Sequence, residues 1–311
     1  PYSEFGHTGQ VDFLYKLELA KVTQDISVGA DVSDVVSRDK LAIYAITPLN
    51  TQTLDYSADA ALLDQYPINN QNLRTNSKSV SYYIQDYATF LGGKVNLVAG
   101  LRWINPSTAQ QNWLTNTTSN FDPDTKQVHR YGIVVKPIPQ VSVYAMKGDT
   151  FQINTGVNHL GQPLKDSEGN ITEFGLKSFD IAVGGGQLFF STAYFDMELT
   201  NVRTIGPLIV VIGQTVNEIL QTAADTSKGW EFDAGYRHKI GPGEFETILT
   251  YYKAKSMSAT GIRSVRTPEH VSSFFLKYSF NEGSLKGLSG GFGGYYEGNK
   301  LATTNGLLYY D

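Results

Sequence analysis

Lys228-Gly229-Trp230-Glu231-Phe232-Asp233-Ala234-Gly235-Tyr236-Arg237-His238 changes character at almost every step. In an extended chain Trp230, Phe232, Ala234 and Tyr236 fall on one side. Glu231, Asp233, Gly235 and Arg237 fall on the other. A repeat of two puts alternate side chains on opposite faces of a β-strand, whereas a helix would mix them. The tight link Gly241-Pro242 follows, and a second strand-like run continues from about 243 to 255. The stretch reads as a hairpin with one apolar and one charged face.

The same unit recurs in both directions. Strand-like runs lie near 8–19, 22–34, 79–91, 94–103, 128–136, 140–148, 171–182, 187–198, 228–240, 243–255, 268–280 and 286–297. Val11, Phe13, Tyr15, Leu17 and Leu19 alternate with Asp12, Lys16 and Glu18, with Leu14 the exception. Val95, Leu97, Ala99, Leu101 and Trp103 alternate with Asn96, Gly100 and Arg102, broken by Val98, and Phe274, Leu276, Tyr278 and Phe280 with Ser273, Lys277 and Ser279, with Phe275 out of pattern. Tight links join the members of each pair: Gly92-Gly93, Pro137-Ile138-Pro139, Gly184-Gly185-Gly186, Gly241-Pro242 and Asn281-Glu282-Gly283. Polar stretches of about ten to forty residues separate the pairs.

Periodicity alone leaves two architectures open. The apolar face is the core of a water-soluble sandwich, or it is the lipid face of a barrel whose charged face lines a wet lumen. Loop lengths and strand lengths decide. A soluble sandwich has little reason to collect its long loops at one end, whereas a transmembrane barrel has short turns on one rim and long loops on the other. A tilted strand crosses the bilayer in roughly 9–11 residues, and most of these runs are that long or longer. The expectation is an all-β fold: an antiparallel transmembrane β-barrel wall with every long loop on one rim.

Composition fits. The chain has 311 residues, a net charge of −5 and no cysteine, which argues against a nucleic-acid footprint, disulfides and thiol-bound metals. No apolar run approaches the 18 residues of a membrane helix; the longest lies near 208–212. The 19 tyrosines and 16 phenylalanines suit interfacial girdles, and the 30 glycines suit turns and crowded strand positions.

Several blocks, in order, resemble the barrel of TonB-dependent siderophore receptors. Tyr83-Ile84-Gln85-Asp86 followed by Leu97-Val98-Ala99-Gly100-Leu101-Arg102-Trp103 is similar to that family's strand–turn–strand unit. Tyr131 to Pro137, then Val143-Tyr144-Ala145 and Phe151, resemble the next hairpin. Glu173 to Lys177, Ala193-Tyr194-Phe195 with Asn201-Val202, and Lys228-Gly229-Trp230-Glu231 follow. Thr267-Pro268-Glu269-His270, Tyr278 and Gly290 to Tyr295 complete the series. The resemblance covers roughly residues 80–298. It implies a 22-stranded, plugged barrel, with the twelve runs as strands eight to nineteen. The whole chain, 1–311, then reads as one barrel domain, an internal fragment lacking the plug domain, the energy-coupling box, the early strands and the last strands.

Other motifs are weaker. Gly287-Leu288-Ser289-Gly290-Gly291 fits the G-x-S-x-G of a nucleophile elbow, but a strand follows where a helix is needed. His7, His129, His159, His238 and His270 have no metal-pair spacing. Asp166, Glu168, Asn170 and Glu173 crowd one segment, as do Asp122 and Asp124, without the EF-hand order; they read as solvated loop tips. Asn116-Thr117-Thr118 is a formal sequon in a polar loop.

The resemblance implies uptake of a ferric siderophore across the bacterial outer membrane, powered by the TonB complex through the plug. No bond chemistry, cofactor or protein metal ligand is implied, since the siderophore carries the iron. The ligand is expected at an aromatic-lined outer mouth, for which Tyr44, Tyr56, Tyr66, Trp113, Phe121 and Phe151 are candidates. Arg74, Lys78 and Arg102 could attract an anionic or oxygen-rich ligand. Arg102, Glu231, Asp233 and Arg237 are expected to face the lumen. Expected partners are the chelate, the TonB complex and outer-membrane lipid, with no nucleic acid. The competing readings are a passive porin-type channel and, on the Ser289 motif alone, an outer-membrane lipase.

Overall fold

The computed structural model describes residues 2–41, 71–154, 158, 162, 164–211, 214–221, 224–258, 261–302 and 309–310. Its strands are β1 (Tyr2–Leu19), β2 (Val22–Leu41), β3 (Gln71–Phe90), β4 (Val95–Asn112), β5 (Thr117–Phe121), β6 (Lys126–Ile138), β7 (Val141–Gln152), β8 (Ser167–Val183) and β9 (Gly186–Thr200). There follow β10 (Arg203–Val211), β11 (Gln214–Gln221), β12 (Asp225–Ile240), β13 (Gly243–Met257), β14 (His270–Phe280), β15 (Ser289–Gly298), β16 (Lys300–Leu301) and β17 (Tyr309–Tyr310). Twelve pair in chain order, β1-β2-β3-β4-β6-β7-β8-β9-β12-β13-β14-β15, with β5 attached to β4. The path does not close on itself. These twelve are the twelve runs legible in the sequence, and each pairs with its sequence neighbour along that path.

Three strands arise inside the inter-pair stretches. β5 folds back on β4, and among the described residues β10 pairs only with β11. The tight links also differ in detail. β6 continues through Ile138, past Pro137, with a register shift between Val135 and Ile138, so the turn falls at Pro139-Gln140. The connection after β14 is eight residues, 281–288, closed by Phe280 N donating to Leu288 O at 2.9 Å. Its own backbone hydrogen bonds make a compact loop where Asn281-Glu282-Gly283 alone suggested a tight turn.

The chain forms two compact units. One comprises Pro1–Asp12, Gly29–Tyr82 and Trp103–Lys126. Among its described residues Ser81 and Thr108 are fully buried, and Thr108 donates to Ser77 at 3.4 Å. Lys78 meets Asp34 at 3.3 Å, and Gln110 donates to Thr75 at 3.3 Å. The other unit comprises Phe13–Val28, Tyr83–Arg102 and Gln127–Asp311.

In the larger unit β12 pairs without a break with β9, from Asp225↔Leu199 to Arg237↔Gln187, and with β13, from Thr226↔Met257 to Ile240↔Gly243. Because register is continuous, each face keeps its character across strands. On one face lie Phe174, Tyr194, Trp230, Phe232, Leu249 and Phe274; on the other lie Glu173, Ala193, Glu231, Asp233, Thr250 and Ser273. Trp230 is 50 % exposed and Phe232 40 %. Among the described residues the only hydrophobic side chains that are buried are Ala88, Leu164, Phe195, Ala254 and Leu301. A soluble sandwich of this length would bury its apolar face as a core. Here the apolar side chains share one face of the sheet and stay exposed on it, as a lipid-facing wall requires.

Glycine permits two local features. At Gly241, φ is +58°, and this turn joins β12 to β13. At Gly229 a Cβ would lie 2.3 Å from the Lys253 carbonyl oxygen, so the strands approach as closely as they do because no side chain stands there.

Candidate functional site

The polar face of the larger unit is a ladder of rows, read across β7, β8, β9, β12 and β13. The outermost rows surround a cavity of about 740 Å³. Gly148 and Gly169 form its floor, with Arg130, Met146, Ile171, Met197 and Leu199 around them. The floor is low because glycines on β7 and β8 stand between larger neighbours: a Cβ on Gly169 would meet Thr150 at 2.8 Å and Leu199 at 3.4 Å. Asp225 and Ser227 supply the β12 side. An apolar bed with a guanidinium on one flank and a carboxylate on the other suits a bulky ligand that is largely apolar with a few polar groups.

One step further along the strands the face carries ionisable side chains. The Tyr144 hydroxyl donates to Glu173, and the Lys177 ammonium lies 5.0 Å from the centre of the Tyr144 ring. Glu231 stands on β12 opposite Ala193, and Asp233 opposite Ser191, so Glu173, Glu231 and Asp233 share this face. A short apolar row then intervenes. Phe189 overlies Gly235, where a Cβ would be 2.0 Å from its ring, and Ile248 and Phe275 continue the row. Beyond it Arg237 lies opposite Glu246, which Lys277 approaches to 3.5 Å.

The four expected lumen residues fall out as follows. Glu231, Asp233 and Arg237 share the polar face, opposite to Trp230, Phe232 and Tyr236. Arg102 lies with its guanidinium 5.9 Å from the centre of the Tyr83 ring.

The aromatic candidates stand on different elements where they are described. Tyr44, Tyr56 and Tyr66 lie outside the described residues. Trp113 follows β4 in the smaller unit; the Arg38 guanidinium stacks 4.0 Å over its ring, and its backbone N–H donates to Asn72 O at 2.9 Å. Phe121 ends β5, opposite Thr108. Phe151 lies in β7 opposite Glu168, on the face away from Thr150, which lines the cavity. Among the described residues the cavity lining contains no phenylalanine, tyrosine or tryptophan, and all three methionines of the chain border it. Sequence reading missed the methionines. The available signal was parity: Met146 is two residues from Tyr144 and Met197 two from Phe195, but only strand register brings them together.

The acidic segment around 166–173 is not a loop tip. β8 begins at Ser167, and alternation sends Asn170 and Glu173 to opposite faces. Asp122 accepts from Ser107 at 2.6 Å. Among the described residues no group of three or more histidine or acidic side chains could hold a metal ion. Ser289 opens strand β15, so the G-x-S-x-G segment lacks the strand–turn–helix of a nucleophile elbow.

Comparison with known proteins adds the following. A family model described as TonB dependent receptor-like, beta-barrel, matches residues 4–310. The metal-pseudopaline receptor CntO of Pseudomonas aeruginosa strain UCBPP-PA14 is 25 % identical over 188 residues, which is 60 % of this chain and 26 % of that protein. Among solved structures, the ferric-catecholate import receptor Fiu from E. coli K12 superposes with a TM-score of 0.68 at 15 % identity, over 96 % of this chain and 45 % of Fiu. The siderophore receptor PiuA from Acinetobacter baumannii gives 0.68 at 17 % identity, over 98 % of this chain and 47 % of PiuA. At these identities the structural likeness is one of fold. The chain spans about a quarter of the length of the curated relative and less than half of either receptor.

Proposed function

The chain belongs to the TonB-dependent receptor family, within its β-barrel, and from that premise we propose that it walls an outer-membrane receptor for a ferric siderophore, driven by the TonB complex. The observation that carries the reading is the two-faced sheet. Among the described residues its apolar face stays exposed, and its opposite face holds ionisable groups and a cavity of about 740 Å³ at the end with the long connections. That cavity has the size of a small-molecule site. The chelate lodges there against Met146, Met197 and Leu199, and Arg130 and Asp225 supply polar anchors. The iron stays with the chelator, and the wall performs no bond chemistry.

Two readouts test this in the full-length protein. Expression in an iron-starved strain is expected to support uptake of a radiolabelled ferric chelate, and deletion of the TonB complex is expected to abolish it. Replacing Met197 by Glu is expected to weaken uptake severalfold without lowering the amount of assembled barrel, since it places a charge on the apolar bed. Uptake that persists without the TonB complex, or passage of small sugars without ligand preference, would support the porin reading instead.

A further inference from the structure

The sulfur of this chain is gathered at one place. Methionine occurs three times in the 311 residues, at 146, 197 and 257, and cysteine does not occur. All three methionines border the cavity of about 740 Å³. Ile171 stands opposite Met197 on one side and Gly148 on the other, and Met146 lies two residues from Gly148 on the same face. Met257 is the last residue of β13, opposite Thr226. Met197 is 39 % exposed, and Met146 and Met257 are half-buried. Thioether sulfur therefore meets small solutes that enter the cavity from water.

A thioether differs from the Ile171 and Leu199 side chains of the same bed in one reaction. Hydrogen peroxide is small, neutral and water-borne, and it oxidises methionine to the sulfoxide. A sulfur lone pair attacks one peroxide oxygen, an S–O bond forms and the O–O bond breaks. The departing hydroxide takes the remaining proton and leaves as water. Sulfur loses two electrons, and peroxide gains them. The product replaces a flexible apolar side chain by a polar, chiral one. On Met197 the new oxygen stands on the apolar bed and loses its water when an apolar ligand lands there. On Met146 it is an acceptor on the flank that carries Arg130, whose Cγ lies 4.0 Å from the position of a Cβ on Gly148. An arginine that donates to a sulfoxide is withdrawn from the ligand.

We propose that Met197, together with Met146, is an oxidation site at which hydrogen peroxide turns the apolar bed polar and so lowers the affinity of the cavity for an iron-loaded chelate. The consequence for the chelate rests on the siderophore reading above; the modification itself does not. The chemistry gives the switch a direction. Ferrous iron reduces peroxide to hydroxyl radical, so a receptor that loses affinity on contact with peroxide limits the supply of iron to that reaction. Reduction of the sulfoxides by a thiol-dependent reductase returns the thioethers and restores the bed.

The test uses the full-length protein in outer-membrane vesicles, treated with dilute hydrogen peroxide in the absence of iron and quenched with catalase. Mass spectrometry of proteolytic peptides locates the sulfoxide, which is expected first at Met197, the most exposed of the three. The binding probe is radioactive iron loaded into the spent medium of an iron-starved culture of the source strain. Treated wild type is expected to bind severalfold less than untreated. Methionine sulfoxide reductases of both stereospecificities, with a dithiol as reductant, are expected to recover the loss. The paired change Met146→Leu with Met197→Leu nearly conserves the volume of the bed and removes both sulfurs. Treated and untreated samples of that variant are expected to bind alike, the comparison being made within the variant. Absence of sulfoxide at Met197, unchanged binding by the oxidised wild type, or an equal loss by the leucine pair would overturn the proposal. If the untreated wild type binds no iron-loaded chelate, the siderophore reading falls and the switch with it, whatever sulfoxide is found.

Discussion

Single residues carry the two-faced character, and Ala234 and Asp233 test it most simply. They are neighbours in one strand and face opposite ways, opposite Leu249 and Thr250 of β13 respectively. An arginine at 234 enters lipid, where a charge near the bilayer midplane costs about 2–4 kcal/mol. An arginine at 233 stays on the hydrated face beside Glu231 and is expected to cost much less. Folding titrations of the full-length protein into lipid vesicles measure both. Equal costs would mean that the two positions share an environment, and the register would be wrong. At this scale the sequence was highly legible: alternation from Trp230 to Arg237 assigned every side chain to a face, and the structure keeps that assignment. Legibility failed where function depends on residues distant in sequence. Met146, Ile171 and Met197 come from three strands, and nothing in their local patterns distinguishes them from other apolar positions.

At the scale of elements, the strands were legible because each lies between turn signals and is long enough to repeat its alternation several times. β10 and β11 were not, because Leu208 to Val211 is continuously apolar and gives no period to read. This hairpin pairs with itself alone, in the register Arg203↔Gln221 to Val211↔Gln214 with one irregularity between Ile205 and Leu208. Its base is tied down instead by side chains. Gln221 accepts from Lys165 N at 2.7 Å and donates to Asn201 O at 3.0 Å, and Asn154 donates to both Ser167 and Asn201 O. Since no ladder bond of the main sheet passes through the hairpin, replacing residues 204–220 by a short Gly-Ser linker is expected to leave barrel assembly intact. Heat-modifiable migration on gels checks this. Loss of the heat-modifiable form would show that the hairpin belongs to the folding unit of the wall.

At the scale of the whole molecule, the central claim is that this sheet separates lipid from a wet interior. The family match covers residues 4–310, and the fold recurs in receptors of 15–17 % identity. Fold at such distance is conserved through patterning: apolar side chains out, polar side chains in, short turns on one rim. On the proposed function, ligand identity follows other residues, the lining of the cavity and the connections around it, which is why the sequence spoke clearly about architecture and only by resemblance about the chelate. These 311 residues contain no cysteine, so once any cysteine elsewhere in the full-length protein is replaced by serine the claim is directly measurable. Single cysteines placed at 232 and 233 of the full-length protein, reconstituted in vesicles, can be challenged with a water-soluble maleimide and with a lipid-soluble one. Cysteine at 233 is expected to react with the water-soluble reagent and cysteine at 232 with the lipid-soluble one. The reverse pattern, or equal reaction of both positions with the water-soluble reagent, would contradict the account.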